Sequence, residues 1–283
     1  MDQAEDRGPV EERGAVEDRG PVEDVRDVEE RGPAAYIAEF IGTFGLVLFI
    51  TMAASLYVSD VPGAFIDFSV IGLVHTFALF MLIQALAAAS GAHLNPAVTV
   101  GLAALRQIKP VDAAIYVVIQ LAGGLVGALV TKVILGDADD FNNFGAPAVG
   151  PILDGDTLPG MLAEGLGTFF LMFVIVGVAV NPRAAKDWAA LSIAAALGLA
   201  VFAFGPLTGG SFNPARAFGP SLVSGEFGGA GQFLAVYVVA PVAGAVLAAV
   251  TYFRLYIVPD TEDAGGGGPL SDREGSGGRE PVG

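Results

Sequence analysis

The sequence predicts an all-α membrane protein, with six transmembrane helices plus two re-entrant half-helices in an inverted 3+3 repeat. Three observations carry that expectation. The 283 residues are 53% hydrophobic with a mean hydropathy of +0.63, greasier than an ordinary soluble domain. Six apolar stretches are each close to the roughly 20 residues a helix needs to cross the hydrocarbon core. The tripeptide Asn-Pro-Ala occurs twice, at Asn95-Pro96-Ala97 and Asn213-Pro214-Ala215, each time beside a long apolar segment. Asn-Pro ordinarily marks a turn at a wet surface, so two copies in such surroundings need a reason.

The charge sits outside the apolar part. Residues 1–33 are a degenerate acidic repeat (EDRGPVEERGAVEDRGPVEDV within it), and residues 257–283 are Gly-rich and acidic. Neither can bury enough apolar surface to offset its ordering entropy, so both are expected to be disordered tails around a membrane domain at 34–256. The acidic start has no apolar h-region and does not resemble a secretory signal. A pI near 4.3 argues against a nucleic-acid partner. Scarce lysine and two acidic tails lean toward a salt-adapted source, the alternative being simply two solvated acidic tails. With no cysteine, disulfides and thiolate metal sites are excluded.

The six spans fall at about 34–58, 66–88, 112–135, 158–180, 188–207 and 231–254. Their order repeats. AEFIGTF (38–44) returns as AEGLGTF (163–169), HLNPAVT (93–99) as FNPARAF (212–218), and YVVIQLAGGLVGALV (116–130) as YVVAPVAGAVLAAV (237–250). The common offset points to one duplication, with copies at about 34–135 and 158–254. Each copy holds an odd number of spans, so the second must cross in the opposite sense. Arg31, Arg106 with Lys109, Arg183 with Lys186, and Arg254 then share one face, while the loop GDADDFNNFGAPAVGPILDGDT on the other is rich in Asp. Lys132 alone dissents. The bias places both termini in the cytoplasm and the chain in the cell membrane.

Between the second and third spans, Asn95 to Leu105 is apolar but short. Its eleven residues rise roughly 16 Å as a helix, about half the hydrocarbon thickness. Asn213 to Val223 is the matching piece. Two half-helices entering from opposite faces and meeting at the midplane would together form a seventh, broken span. Such backbone is tolerated at that depth only where it is buried in protein or lines an aqueous cavity. Asn is a favoured N-cap and Pro suits the first helical position. The Asn oxygen can accept from its own helix's amides, leaving the NH₂ donors of Asn95 and Asn213 aimed at one lumen. There the positive ends of two helix dipoles meet, repelling cations and breaking a proton wire at its centre.

These residues resemble the aquaporin or major intrinsic protein family over about residues 34 to 256, in SGAHLNPAVT, GGSFNPAR and the AEF-GTF opening. The resemblance implies a passive water channel with one pore per protomer and a homotetrameric assembly, and pore logic of this kind is a known use of the fold. It also implies a four-position filter, which carries over to His75, Val201, Gly210 and Arg216. Orthodox bacterial water channels have Phe, His, Thr and Arg there. The set in this chain is more similar to plant tonoplast intrinsic proteins, some of which pass ammonia. Arg216 would supply fixed positive charge, Gly210 would widen the gate, and His75 would donate or accept. Glycerol facilitators of the family usually carry Asp after the filter Arg and aromatic residues at the filter. This chain has Ala217 and no Trp or Phe at the four positions, which favours water over glycerol without excluding the latter.

Glu39 and Glu164 occupy matching places inside apolar spans. An unpaired carboxylate is costly there, so each is expected to accept from backbone amides of a re-entrant loop. His93 and Gln120 read as loop-holding groups behind the pore. Gly123, Gly124, Gly127 and Gly244 suit close helix packing, Pro206 and Pro241 are expected to end or bend their spans, and Tyr237 and Trp188 read as interface anchors. No nucleophile–base pair, phosphate loop or metal cluster has useful spacing, so neither an enzyme nor a cofactor is expected. The expected partners are water, small neutral solutes and the bilayer. A coupled secondary transporter also fits inverted repeats and broken helices, but it would need a titratable or ion-binding group facing the midplane.

Overall fold

The structure is a computed structural model that describes residues 31–57, 67–136 and 142–258. The expected tails before residue 31 and after 258, and the Asp-rich start of the long loop, lie outside the described residues. Eight helical elements organise the fold: α1 Pro33–Tyr57, α2 Phe68–Ser90, α3 Pro96–Ala104, α4 Pro110–Leu135, α5 Thr157–Val180, α6 Ala189–Thr208, α7 Pro214–Ser224 and α8 Ala230–Ile257. Six of them are long and apolar enough to cross a membrane. The other two, α3 and α7, are the half-length pieces that follow the Asn-Pro pairs. Helix ends fall within a few residues of the predicted spans; α8 runs on to Ile257.

Local chemistry sets these boundaries. Asp67 caps α2 by accepting from Ser69 N at 2.9 Å and Val70 N at 3.3 Å, which satisfies donors the first turn leaves open. Gly91, Gly209 and Gly225 end α2, α6 and α7 in left-handed backbone, where a Cβ would be strained. Pro110 opens α4 and needs no N–H there. Pro241 neither ends nor sharply breaks α8. It follows a π-helical turn at Ala235–Val239, whose wider ring accommodates the carbonyl that proline leaves without a donor. Pro206 likewise lies inside α6.

The two repeats interlock. Within each copy the first helix packs on the second and the last, α1 on α2 and α4, α5 on α6 and α8. Between copies α2 packs on α6, and each half-helix lies against the other copy, α3 on α8 and α7 on α4. Glycines permit these approaches at matching positions. A Cβ on Gly123 would come 2.7 Å from the Phe40 carbonyl oxygen, while one on Gly244 would collide with the carbonyl of Gly165, the counterpart of Phe40. Large apolar side chains such as Phe77, Val133, Leu199 and Leu247 point outward, where acyl chains replace water. Buried polar groups gather instead around the two re-entrant loops.

Candidate functional site: the paired half-helix loops and the cavity between them

The site is built by two loops of the same unusual shape. Each runs from a helix-ending glycine through a residue in left-handed backbone to an extended Asn. In the first, Gly91, Ala92 and Leu94 have φ of 86°, 48° and 50°; in the second, Gly209, Gly210 and Phe212 have 78°, 61° and 51°. Left-handed backbone costs a residue with a Cβ on the order of 1–2 kcal/mol, so something must hold Leu94 and Phe212 in place.

Two buried carboxylates do so. Glu39 accepts from His93 N at 2.9 Å and Leu94 N at 2.8 Å, and also from Ser90 Oγ at 2.7 Å and Gln120 Nε2 at 2.8 Å. Glu164 accepts from Ser211 N at 2.9 Å, Phe212 N at 2.6 Å and Thr208 Oγ1 at 2.7 Å. Hydrogen bonds to a charged acceptor are roughly twice as strong as neutral ones, enough to outweigh the backbone strain. The side chains of Leu94 and Phe212 then fill notches left by Gly42 and Gly167, where an added Cβ would overlap them. Gly42 and Gly167 are the shared glycines of AEFIGTF and AEGLGTF.

The second copy lacks part of this scaffold. Gln120 also donates to Thr99 Oγ1 at 3.0 Å, and His93 Nδ1 lies 3.2 Å from the same hydroxyl. At the positions matching Gln120 and Thr99, the second copy carries Pro241 and Ala217, so Glu164 has one donor fewer. Both copies share a tyrosine strut: Tyr116 OH donates to Ser90 O and Tyr237 OH to Thr208 O, each at 2.8 Å. Tyr237 is therefore no interface anchor. It is buried and ties α8 to the second loop, whereas Trp188 is exposed at the start of α6. Aligning the repeats position by position would have exposed the strut, because both tyrosines open a YVV run.

Each Asn caps its half-helix. Asn95 Oδ1 accepts from Ala97 N at 2.9 Å, and Asn213 Oδ1 from Ala215 N at 3.0 Å and Arg216 N at 3.4 Å. The amide nitrogens are partly committed, which the sequence does not reveal. Asn95 Nδ2 donates to Phe212 O and Asn213 Nδ2 to Leu94 O, both at 2.9 Å. One N–H of each amide thus ties the two loops together, and one each is left without a partner among the described residues, instead of both.

One cavity of about 380 Å³ is walled by both Asn residues together with His75, His93 and Arg216 and by aliphatic side chains such as Leu79, Val98 and Leu197. At ~30 Å³ per water in the liquid, that is room for roughly a dozen molecules. His75 is fully buried, and its Nδ1 lies 2.8 Å from Ile71 O. A carbonyl oxygen only accepts, so the neutral ring carries its proton on Nδ1, which leaves Nε2 as an acceptor. Nε2 has no partner among the described residues. Arg216 is buried, with Nη1 donating to Gly145 O at 2.9 Å. Val201 and Gly210 are not among the walls of this cavity; they abut each other, a Cβ on Gly210 falling 3.5 Å from Val201 Cγ2. Lys132, the basic residue on the otherwise acidic face, sits 5.4 Å from the centre of the Phe144 ring, a cation–π contact that accounts for its place.

A wall of this composition suits an uncharged permeant. Aliphatic sides offer it nothing, the Asn amides offer donors, and the N-termini of α3 and α7 each add roughly half a positive charge. Comparisons with known proteins identify the family. Residues 29–252 match the model of the major intrinsic protein family. The chain is 38% identical to Aquaporin AqpM of Methanothermobacter thermautotrophicus, over 76% of this chain and 94% of that one. It is 36% identical to Nodulin-26 of Glycine max, covering 76% and 75% of the two chains. The fold superposes on the aquaglyceroporin from Plasmodium falciparum with a TM-score of 0.69 at 25% identity, covering 81% of this chain and 98% of that one. The chain belongs to the major intrinsic protein family of membrane channels.

Proposed function

We propose that the protein is a passive channel for water that also passes ammonia and other small neutral solutes and excludes protons and ions. The observation that carries this reading is the single cavity on which both Asn amides, His75 and Arg216 border. A molecule passing through it would accept from the Asn donors and, where the ring lets it approach, donate a hydrogen bond to His75 Nε2. Water and ammonia can both do this, and a bare cation can do neither. The four-position filter of His75, Val201, Gly210 and Arg216 is part of this proposal on the family resemblance, although Val201 and Gly210 do not wall this cavity. So are a homotetrameric assembly, which family membership supports, and a cell-membrane location with both termini cytoplasmic, which the basic residues at the α1-starting face support.

Stopped-flow light scattering on proteoliposomes with gradients of water, ammonia, urea and glycerol tests the reading. Water and ammonia flux well above empty vesicles is expected, independent of proton and sodium gradients. A gradient-dependent flux would favour a coupled transporter, against which stands a cavity wall with no carboxylate among the described residues. Glycerol flux comparable to water would favour a polyol facilitator. That second reading draws on the absent side chain at Gly210 and on the structural likeness to an aquaglyceroporin.

A further inference from the structure

We propose that Arg31 guards the mouth of the cavity on the face where α1 begins, as a second permeation-controlling cation at the end away from Arg216. The proposal rests on the channel reading above. Topology gives the place. Arg31 precedes α1, Ala179 and Val180 close α5, and Ala189 opens α6, all on one face. Each lines the same cavity as His75 and Arg216. The α2 helix starts on the opposite face, and His75 lies in its first half, so the two arginines flank the paired Asn residues.

Arg31 is held there. Its main-chain N donates to Asp112 Oδ2 at 3.2 Å, while Asp112 Oδ1 accepts from Tyr36 OH at 2.6 Å. Asp112 itself is buried, so these bonds fix the chain just before α1 against the start of α4. His93 lines the same cavity. Arg31 Nε is buried and has no hydrogen-bond partner among the described residues, while the residue itself lines the cavity at this end.

The neighbouring cation is differently engaged. Lys186 lines the same cavity, but its Nζ donates to the carbonyls of Val178, Ala179 and Asn181 at 3.2, 3.0 and 2.8 Å. Those are the acceptors that the end of α5 leaves open, and a cation is favoured there. Lys186 therefore closes a helix end, and Arg31 is the cation left to set the charge at the mouth. A guanidinium in this place repels cations before they reach the Asn pair and holds the water that stands in the mouth.

The chain contains no cysteine, so Arg31→Cys introduces a unique thiol into the full-length protein. In proteoliposomes, reaction of that thiol with a bulky cationic reagent should bring water permeability down toward that of empty vesicles. Trp188→Cys, at an exposed residue that does not line the cavity, should label without losing flux. Arg31→Ala should raise water permeability about two- to tenfold, the rate equivalent of one net hydrogen bond removed from the path, and Arg31→Lys should stay near wild type. Asp112→Ala, which frees the support, should shift permeability in the same direction, and the Arg31→Ala/Asp112→Ala pair should exceed neither by much. Complete labelling of Arg31→Cys without block overturns the proposal, as does an Arg31→Ala rate equal to wild type. Wild-type vesicles no faster than empty ones would bring down the channel reading, and this proposal with it.

Discussion

Asn95 and Asn213 are each bonded to the carbonyl that precedes the other: Asn95 Nδ2 to Phe212 O and Asn213 Nδ2 to Leu94 O, both at 2.9 Å. The exchange joins residues 118 positions apart in the chain into one unit at the centre of the fold. It also orients both amides, since oxygen and nitrogen are each assigned by their partners. Asn95→Ala and Asn213→Ala should each cost about 1–3 kcal/mol, the penalty for leaving a buried carbonyl and a capped amide unpaired. The double variant should lose less than the sum, because the first substitution already breaks the unit. Thermal unfolding in detergent reads the cost. Additive losses would show that the two bonds act separately.

The carboxylates behind the loops carry unequal loads. Glu39→Gln and Glu164→Gln each trade two acceptor oxygens for one and turn an NH₂ toward donors. Both should lower the unfolding temperature, by an amount corresponding to roughly 1–3 kcal/mol or more. Glu39→Gln should lose more, because four donors converge on Glu39 and three on Glu164. Equal or reversed losses would mean that the Gln120 bond adds nothing.

The repeat packing makes a prediction with an internal control. Gly244→Ala would push a methyl into the Gly165 carbonyl, and Gly123→Ala would press on Phe40. Each should destabilise by about 1–3 kcal/mol, as overpacking does. Gly231, near the start of α8, has open space around it, so Gly231→Ala should be neutral or stabilise by up to about 1 kcal/mol. Unfolding in detergent compares the three. A tolerant Gly244→Ala would show that α5 and α8 can separate without loss.

At the proposed filter, His75→Phe removes the Nε2 acceptor and adds a ring of apolar carbon. Ammonia flux should fall more than water flux, since ammonia relies on that acceptor to give up a hydrogen in place of its lost solvation. Parallel stopped-flow measurements on one vesicle preparation decide it. Equal loss of both fluxes would count against a selective role for His75.

Much of this architecture is legible in the chain alone. Span length, the duplicated AE-GTF and Asn-Pro-Ala segments and the half-length pieces after them set the topology, because a bilayer demands long apolar helices and tolerates broken ones only in pairs or against protein. The positions of Glu39 and Glu164 inside apolar runs foretell that something must donate to them. Partners are another matter. That Asn95 spends a proton on Phe212, that Tyr237 braces a loop when it reads as an interface residue, and that Val201 and Gly210 stand off the cavity His75 borders all depend on how the two copies dock. So does the place of Arg31, which reads as one more basic flank until its main chain is seen bonded to Asp112 and its side chain among the cavity walls. Periodicity and composition act within one helix and are written in neighbouring residues. Hydrogen bonds between the copies depend on distances of a few tenths of an ångström, and only the packed structure sets those.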